Sequence, residues 1–334
     1  MNADPITEEI RKTLKKFPNT DSRTLARRIS KEFEITIEQA RNRIRYQRGA
    51  CGAKSKKHNH DTHRPLKEAG SYKPTMPPSL AEPWVPFELD GSKNVGVIAD
   101  IHIPFHAEKP VKMAIDTLKK AKIDTLLVNG DAGDWYTMSR FEKNPKYRDK
   151  RAELNAQREF WKYLRYEFPK ARIVFKKGNH DERWEKWVWN GGLAEFHDEP
   201  LLQLDVWLGL QQLGVEIVGD QRIIMAGKLP ILHGHELPKG IANPVSPARG
   251  AFLRGYHSVM VSHSHVPGSF VAVDLFHKSM VSWSTGCLCT LNPEYARINQ
   301  WAWGFANIRI AQDKTYDVTN KRVDYDFKVR GTDA

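Results

Sequence analysis

Between Lys93 and Phe175 short apolar runs alternate with amphipathic stretches, and each run leads into a polar cluster rich in Asp, His or Asn. Val95 to Ala99 runs into Asp100-Ile101-His102. Thr125 to Asn129 runs into Gly130-Asp131-Ala132-Gly133-Asp134, and Ala171 to Phe175 leads to Gly178-Asn179-His180-Asp181. The runs have the length of buried strands, while Pro110 to Lys122 and Ala152 to Phe168 have helical spacing. Strands that alternate with helices dictate a parallel sheet, with its reactive loops at the strand C-termini. Asp100, Asp131 and Asn179 each fall just after such a strand.

The later half reads differently. Val215–Val218, Arg222–Ala226, Pro230–Leu232, Ser258–Val261, Phe270–Val273, Lys278–Trp283 and Ala306–Ile310 are short strands broken by Gly, Pro and Asp. Two sheets packed face to face and flanked by helices are the expected α/β architecture. A chain of 334 residues has room for this domain, residues 93–334, and a small one before it. No apolar run approaches about 18 residues and no leader-like segment precedes a cleavage site, so a cytoplasmic protein is expected. The three cysteines, Cys51, Cys287 and Cys289, cannot make a disulfide framework; they read as buried small groups in a reducing compartment.

The net charge of +12 is concentrated at one end. Residues 1–80 hold 18 Lys and Arg against 9 Asp and Glu; the remainder holds 34 against 31. Within residues 1–50 three helices are expected. Ile6, Ile10, Leu14 and Phe17 mark the first, which Pro18 stops. Leu25, Ile29 and Phe33 follow a cap at Asp21 or Ser22, and Ala40, Ile44 and Ala50 follow Thr36. This is the helix-turn-helix plan. Its third helix presents Arg41, Asn42, Arg45 and Arg48, residue types that meet phosphates and base edges, so nucleic acid is the expected partner. The bland alternative is a helical adaptor whose basic face is solvated or docks on an acidic protein. Residues 51–92 read as a linker, basic at first and then proline-rich. Cys51, His58, His60 and His63 match no common zinc module.

Asp100 and His102 lie two residues apart, so on an extended strand end both would point to one side. Asp131 has two carboxylate oxygens that could bridge two ions, and Gly130 before it lets another group approach closely. Asn179 offers an amide oxygen; His233, His263 and His265 offer imidazoles. Mixed ligation of this kind suits Mn, Fe or Zn better than Ca or Mg. Singly, Asp-x-His, Gly-Asp-x-x-Asp and His-x-His are more often turns, caps or surface histidines. Five such clusters in this order point to a dinuclear centre, with ions roughly 3.5–4 Å apart that clamp a phosphoryl group.

Asp100-Ile101-His102, Gly130-Asp131-Ala132-Gly133-Asp134, Gly178-Asn179-His180-Asp181, His233-Gly234 and His263-Ser264-His265 resemble the five blocks of the calcineurin-like metallophosphoesterase superfamily. The resemblance covers roughly residues 93–310. The N-terminal segment lies outside it and resembles, less closely, helix-turn-helix extensions of phage-type members. The resemblance implies that Asp100, His102 and His265 hold one divalent ion and Asn179, His233 and His263 the other, with Asp131 bridging; among the metals this donor set suits, manganese is expected first, with iron or zinc the alternatives. A hydroxide between the ions would attack phosphorus. His180 would stabilise the transition state or protonate the leaving oxygen, Asp181 would orient its ring, and Asp134 would support the ligands by hydrogen bonds. One departure stands out: Ser262 occupies a place where the family usually has Gly, which leaves the local turn open. His235 competes with His233 as ligand. His106, Arg183, Arg140 and Lys177 are candidates for substrate phosphate, His106 first. Trp184, Trp187 and Trp189, and likewise Trp283, Trp301 and Trp303, are read as packing residues, with base stacking the alternative. A phosphodiesterase acting on nucleic acid is the expected function, a phosphomonoesterase with a protein-docking module the alternative. A non-catalytic scaffold on the same fold is the third possibility.

Overall fold

The computed structural model describes residues 4–51, 75–140, 144–147, 149–238 and 246–331. The chain divides into two compact units, Met1–Ala81 and Glu82–Ala334.

In the first unit, α1 (Pro5–Lys16), α2 (Ser22–Glu32) and α3 (Ile37–Gln47) bury Ile10, Leu25, Ala26, Ile29, Ala40 and Ile44 against one another. The Asp21 carboxylate caps α2 by accepting from the N–H groups of Arg23 and Thr24, each at 2.9 Å. Thr36 and Gln39 close a reciprocal capping box on α3. Phe17 and Ala50, expected to face inward, are exposed: Phe17 ends α1 as its C-cap, and Ala50 lies beyond the last turn of α3. Arg48 has partners within the helical unit itself. Its guanidinium donates to the Ser22 hydroxyl at 3.1 Å and to the carbonyls of Pro18 and Thr20, and so ties the end of α3 to the α1–α2 turn. Arg41 pairs with Glu38 at 3.4 Å. Asn42 is exposed, and Arg45 lines a recess with Arg23, Arg41 and Arg48.

The basic part of the expected linker, His58, His60 and His63 included, lies outside the described residues. Its last part is no linker. Phe87–Glu88 forms β1, and Leu89 behind it is buried. Pro83 and Pro86 do not bar this, because an edge strand tolerates a missing N–H.

From there the elements are β2 (Asn94–Ile98), α4 (Glu108–Lys120), β3 (Thr125–Asn129), α5 (Lys150–Glu167), β4 (Arg172–Lys176), α6 (Glu182–Asn190), α7 (Leu204–Leu208) and β5 (Val215–Val218). Then come β6 (Ile224–Ala226), β7 (Leu229–Ile231), α8 (Pro247–Gly255), β8 (Met260–Val261), β9 (Gly268–Val273), β10 (Ser279–Ser284), β11 (Trp303–Ile310), β12 (Tyr316–Val323) and β13 (Val329–Gly331). They build two mixed sheets, ordered β13-β12-β11-β2-β3-β4-β5 and β1-β6-β7-β8-β10-β9. β2 to β5 pair in parallel, as the strand and helix alternation requires.

The pleat of the parallel strands sorts their side chains. Val95, Val97, Leu127 and Val174 pack toward Ile231, Met260 and Ile308 in the layer between the sheets. Ile98, Leu126, Val128, Ile173 and Phe175 face the other way, onto Ile115, Leu118, Trp161 and Leu164 of α4 and α5. This sandwich leaves the C-terminal ends of β2, β3 and β4 side by side.

Candidate metal centre

The loops after β2 and β3 are zipped by backbone hydrogen bonds. Asp100 N–H donates to the Gly130 carbonyl at 3.1 Å; Ile101 and His102 donate to that of Asp131 at 2.9 and 3.0 Å. Asp100 and His102 do not share a side by strand alternation, as a continuing strand would give. Both are left-handed, at φ 51° and 52°, and so are Asp131 (51°), His263 (63°) and His265 (60°). Non-glycine residues in that region store about 1–3 kcal/mol each and persist only where their surroundings force them. Five of the seven expected ligands are held in this way. Glycines let the parts close: a β-carbon on Gly130 would fall 2.2 Å from His233 Nδ1, and one on Gly178 2.2 Å from Asp131 Oδ1.

All seven expected ligands lie just past strand ends: Asp100 and His102 after β2, Asp131 after β3, Asn179 after β4, His233 after β7, and His263 and His265 after β8. His102 Nε2 is 3.3 Å from His265 Nε2 and 3.8 Å from Asp131 Oδ2. Asp131 Oδ2 is 3.3 Å from His233 Nε2, and Asp100 Oδ1 is 3.1 Å from His265 Nε2 and 3.9 Å from His233 Nε2. Donor atoms of His102, Asp131 and His180, of Asp131, His233 and His263, and of His102, His265 and Cys289 form three groups able to hold a cation. Asp100 Oδ1, Asn179 Oδ1 and His233 Nε2 are buried without hydrogen-bond partners. Buried polar atoms are rarely left so, and carboxylate, amide and imidazole donors of these types fit divalent ions.

The charge balance agrees. Burial opposes ionisation of Asp100 and Asp131, yet His265 and His233 hold the first below the ordinary carboxylate range, and His233, His180 and His102 hold the second well below it. In return, against burial, Asp131 and Asp100 push His233 up to about 10, and Asp100 pushes His265 up to about 9. The other two imidazoles go the opposite way: burial, then the charge on His180, holds His102 down, and burial, then the charge on His233, pushes His263 down to about 4, so they offer neutral nitrogens to a cation.

Asp134 accepts from His102 Nδ1 at 2.9 Å, so its carboxylate steadies an expected ligand. It also holds His180, whose Nδ1 lies 2.9 Å from the Asp134 carbonyl and 3.2 Å from its carboxylate. Asp181 does not orient that ring. Its two oxygens accept from the N–H groups of Gly133 and Gly178, at 3.2 and 2.9 Å, and pin the β3 loop to the β4 loop. Burial, then the Asp131 charge, pushes the Asp181 carboxyl up to about 7. Arg183 donates to the Asp134 carbonyl at 2.7 Å and lies 3.0 Å from His180 Nε2.

Two expected phosphate contacts are placed elsewhere. His106 lines a separate small cavity with Val111, Ala156 and Phe160, and Lys177 pairs with Glu185. Arg140 and Arg183 line the groove beside Asn179 and His263. His235 contacts Glu182 at 3.0 Å. Ser262 suits its turn: it is buried, and its hydroxyl accepts from Asn129 Nδ2 at 2.9 Å and lies 2.8 Å from that of Thr285. Cys287 and Cys289 are buried, and Cys289 Sγ lies 4.0 Å from His265 Nδ1. Trp184 is buried among Trp135, Trp187 and Trp207, while Trp187 and Trp189 are exposed.

Sequence reasoning missed three supports. The Asn129 carbonyl lies 2.7 Å from His233 Nδ1, which turns Nε2 toward the carboxylates. Glu236 accepts from the N–H groups of His233 and Gly234, at 3.1 and 2.6 Å, and is paired at 2.8 Å with the buried Lys176. A lysine inside a buried strand, and a glutamate three residues past a candidate ligand, were the available signals.

A sandwich of two mixed sheets with this cluster at its strand ends defines a metal-dependent phosphoesterase framework. Residues 93–297 match the family described as calcineurin-like phosphoesterase, and the chain belongs to it. It is 27% identical over 184 residues to the Gene 54 protein of Mycobacterium phage L5, covering 53% of this chain and 71% of that protein. Among solved structures it is similar to a single mutant of Vps29 from Entamoeba histolytica, at 16% identity and TM-score 0.38, covering 71% of this chain and 96% of that one. It is similar too to YfcE, a phosphoesterase from E. coli, at 13% identity and TM-score 0.30, covering 67% and 96%. Among the described residues no helix is long and apolar enough to cross a membrane.

Proposed function

We propose that the chain hydrolyses phosphodiesters, in nucleic acid, with two divalent ions held by Asp100, His102 and His265 and by Asn179, His233 and His263, and with Asp131 shared between them. Manganese is the first candidate. The observation that carries this reading is the grouping of His102, Asp131, His233, His263 and His265 donor atoms into clusters able to hold a cation, beside the buried, unpartnered Asp100 Oδ1, Asn179 Oδ1 and His233 Nε2. Ions bound there would supply a nucleophile at neutral pH and neutralise charge on the phosphoryl oxygens. The protein's share is placement. Asp134 fixes His102 through its carboxylate and His180 mainly through its carbonyl. With its Nδ1 proton on that carbonyl, His180 turns Nε2 to Arg183, which lines the groove, so the pair can meet the phosphoryl and leaving oxygens together.

The basic helical module supports nucleic acid over a small phosphomonoester. α3 exposes Asn42 and places Arg45 beside Arg23 and Arg41. The test is hydrolysis by the manganese-loaded protein of 4-nitrophenyl phosphate, bis-(4-nitrophenyl) phosphate, single-stranded DNA, duplex DNA and RNA, beside Asp131→Asn. Cleavage of diesters and of nucleic acid that disappears in the variant is expected. Cleavage of the monoester alone would make the chain a phosphomonoesterase and the module a protein-docking element.

A further inference from the structure

A groove of about 1230 Å³ opens beside the cluster, with Asn179 and His263 in its wall. Pockets that enclose a drug-sized molecule run to about 300–1,000 Å³, so this one exceeds the needs of a small phosphate ester. Among the described residues no acidic side chain lines it, while Arg183, Lys186 and Arg254 do. Arg254 is tethered through Nε to the Gly250 carbonyl at 2.9 Å, a contact that leaves its charge uncompensated. Lys186 is partly offset by Glu182 at 2.7 Å. Trp187 lines the same groove and is 42% exposed, which is unusual for so large a ring, with Lys150 Nζ 4.8 Å from its centre. Cations along a groove with an aromatic face at its side are what a flexible sugar-phosphodiester backbone carrying planar bases requires. Five of the candidate ligands, Asp100, His102, Asp131, His233 and His265, are buried, while Asn179 is half-buried and His263 exposed where they line the groove. A scissile phosphate would therefore meet the cluster at this edge, within the groove, a path that a free strand follows more readily than a stiff duplex.

We infer that this groove binds a single strand of nucleic acid several nucleotides long, with flanking phosphates on Arg254 and Lys186 and a base against Trp187, so that internal phosphodiesters are presented to the cluster. This rests on the phosphodiesterase reading and narrows it to single strands. The experiment is fluorescence anisotropy of labelled single-stranded DNA of 2, 6 and 12 nucleotides, and of a 12-base-pair duplex, on the full chain carrying Asp131→Asn, alone and with Trp187→Ala or Arg254→Gln. Turnover of bis-(4-nitrophenyl) phosphate by the unaltered protein is measured beside it. Affinity should rise with strand length. Trp187→Ala should weaken the 12-mer roughly tenfold, and Arg254→Gln should weaken it several-fold and lower the salt dependence by about one unit. Affinity for the 12-mer that neither substitution changes, or a preference for duplex, overturns the inference, even where the diester is hydrolysed. Loss of diester turnover with strand binding still sensitive to both substitutions would instead remove the phosphodiesterase reading and leave the groove a strand-binding site.

Discussion

Lys176 and Glu236 show how single residues hold the site from behind. Both are buried, and the glutamate spends its two oxygens on the lysine and on the backbone of His233 and Gly234. Removing one partner strands a charge in the interior, which costs about 3–5 kcal/mol. Lys176→Met should therefore lower stability by that order in urea unfolding, and adding Glu236→Gln should recover part of the loss because the stranded charge is gone. Recovery of nothing would show that the pair is not the coupling. Glu153, buried in the first turn of α5, gives a pH test. Burial, then the Asp134 charge, pushes its carboxyl up from 4.5 to about 8, although it accepts from the Tyr136 N–H at 3.2 Å. The folded chain keeps this proton longer than the unfolded chain does, so stability is fullest below about pH 4.5 and falls as pH rises toward 8. Glu153→Gln should flatten that part of the profile of Tm against pH, and an unchanged slope would show that Glu153 does not cause it. The residue types of the centre were legible because Asp, His and Asn seldom cluster after apolar runs. That Asp134 rather than Asp181 places His180 was not, since which carboxylate meets an imidazole depends on loop geometry rather than adjacency in sequence.

At the scale of elements, the site is a set of strand ends held in left-handed turns. Glycine at 178 is needed where the β4 loop passes Asp131, since a β-carbon there would meet both the Asp131 carboxylate and its backbone nitrogen, at 2.2 and 2.5 Å. Gly178→Ala should displace Asp131 and reduce manganese binding by at least tenfold in isothermal titration, because backbone has no room to yield; unchanged affinity would show that Asp131 is not a ligand. The parallel strands and their helices were readable from period and length. Three other elements were less so. β1 hid among prolines. β12 carries Asn320 at a buried position, where it donates to the carbonyls of Gly268 and Ser284, and this polar residue breaks the apolar alternation. α6 follows directly on the reactive loop and mixes charges with tryptophans, so its helical face was masked by its chemistry.

At the scale of the whole molecule, a basic three-helix unit and a phosphoesterase sandwich share one chain. The sandwich was legible through its five clusters, and the helical unit through its apolar spacing; the substrate was not, because one fold serves many phosphate esters and the groove that discriminates among them is built from Trp187, Lys186 and Arg254, which no motif ties together. The central claim is that two ions held by this cluster perform phosphodiester hydrolysis. It is tested most directly by stripping the protein with chelator and titrating it with manganese while bound metal per chain and turnover of bis-(4-nitrophenyl) phosphate are followed together, beside Asp131→Asn. Two ions per chain are expected, with turnover appearing as the pair is completed and absent from the variant. Turnover that survives chelation, or that is complete with no more than one ion bound, would contradict the account.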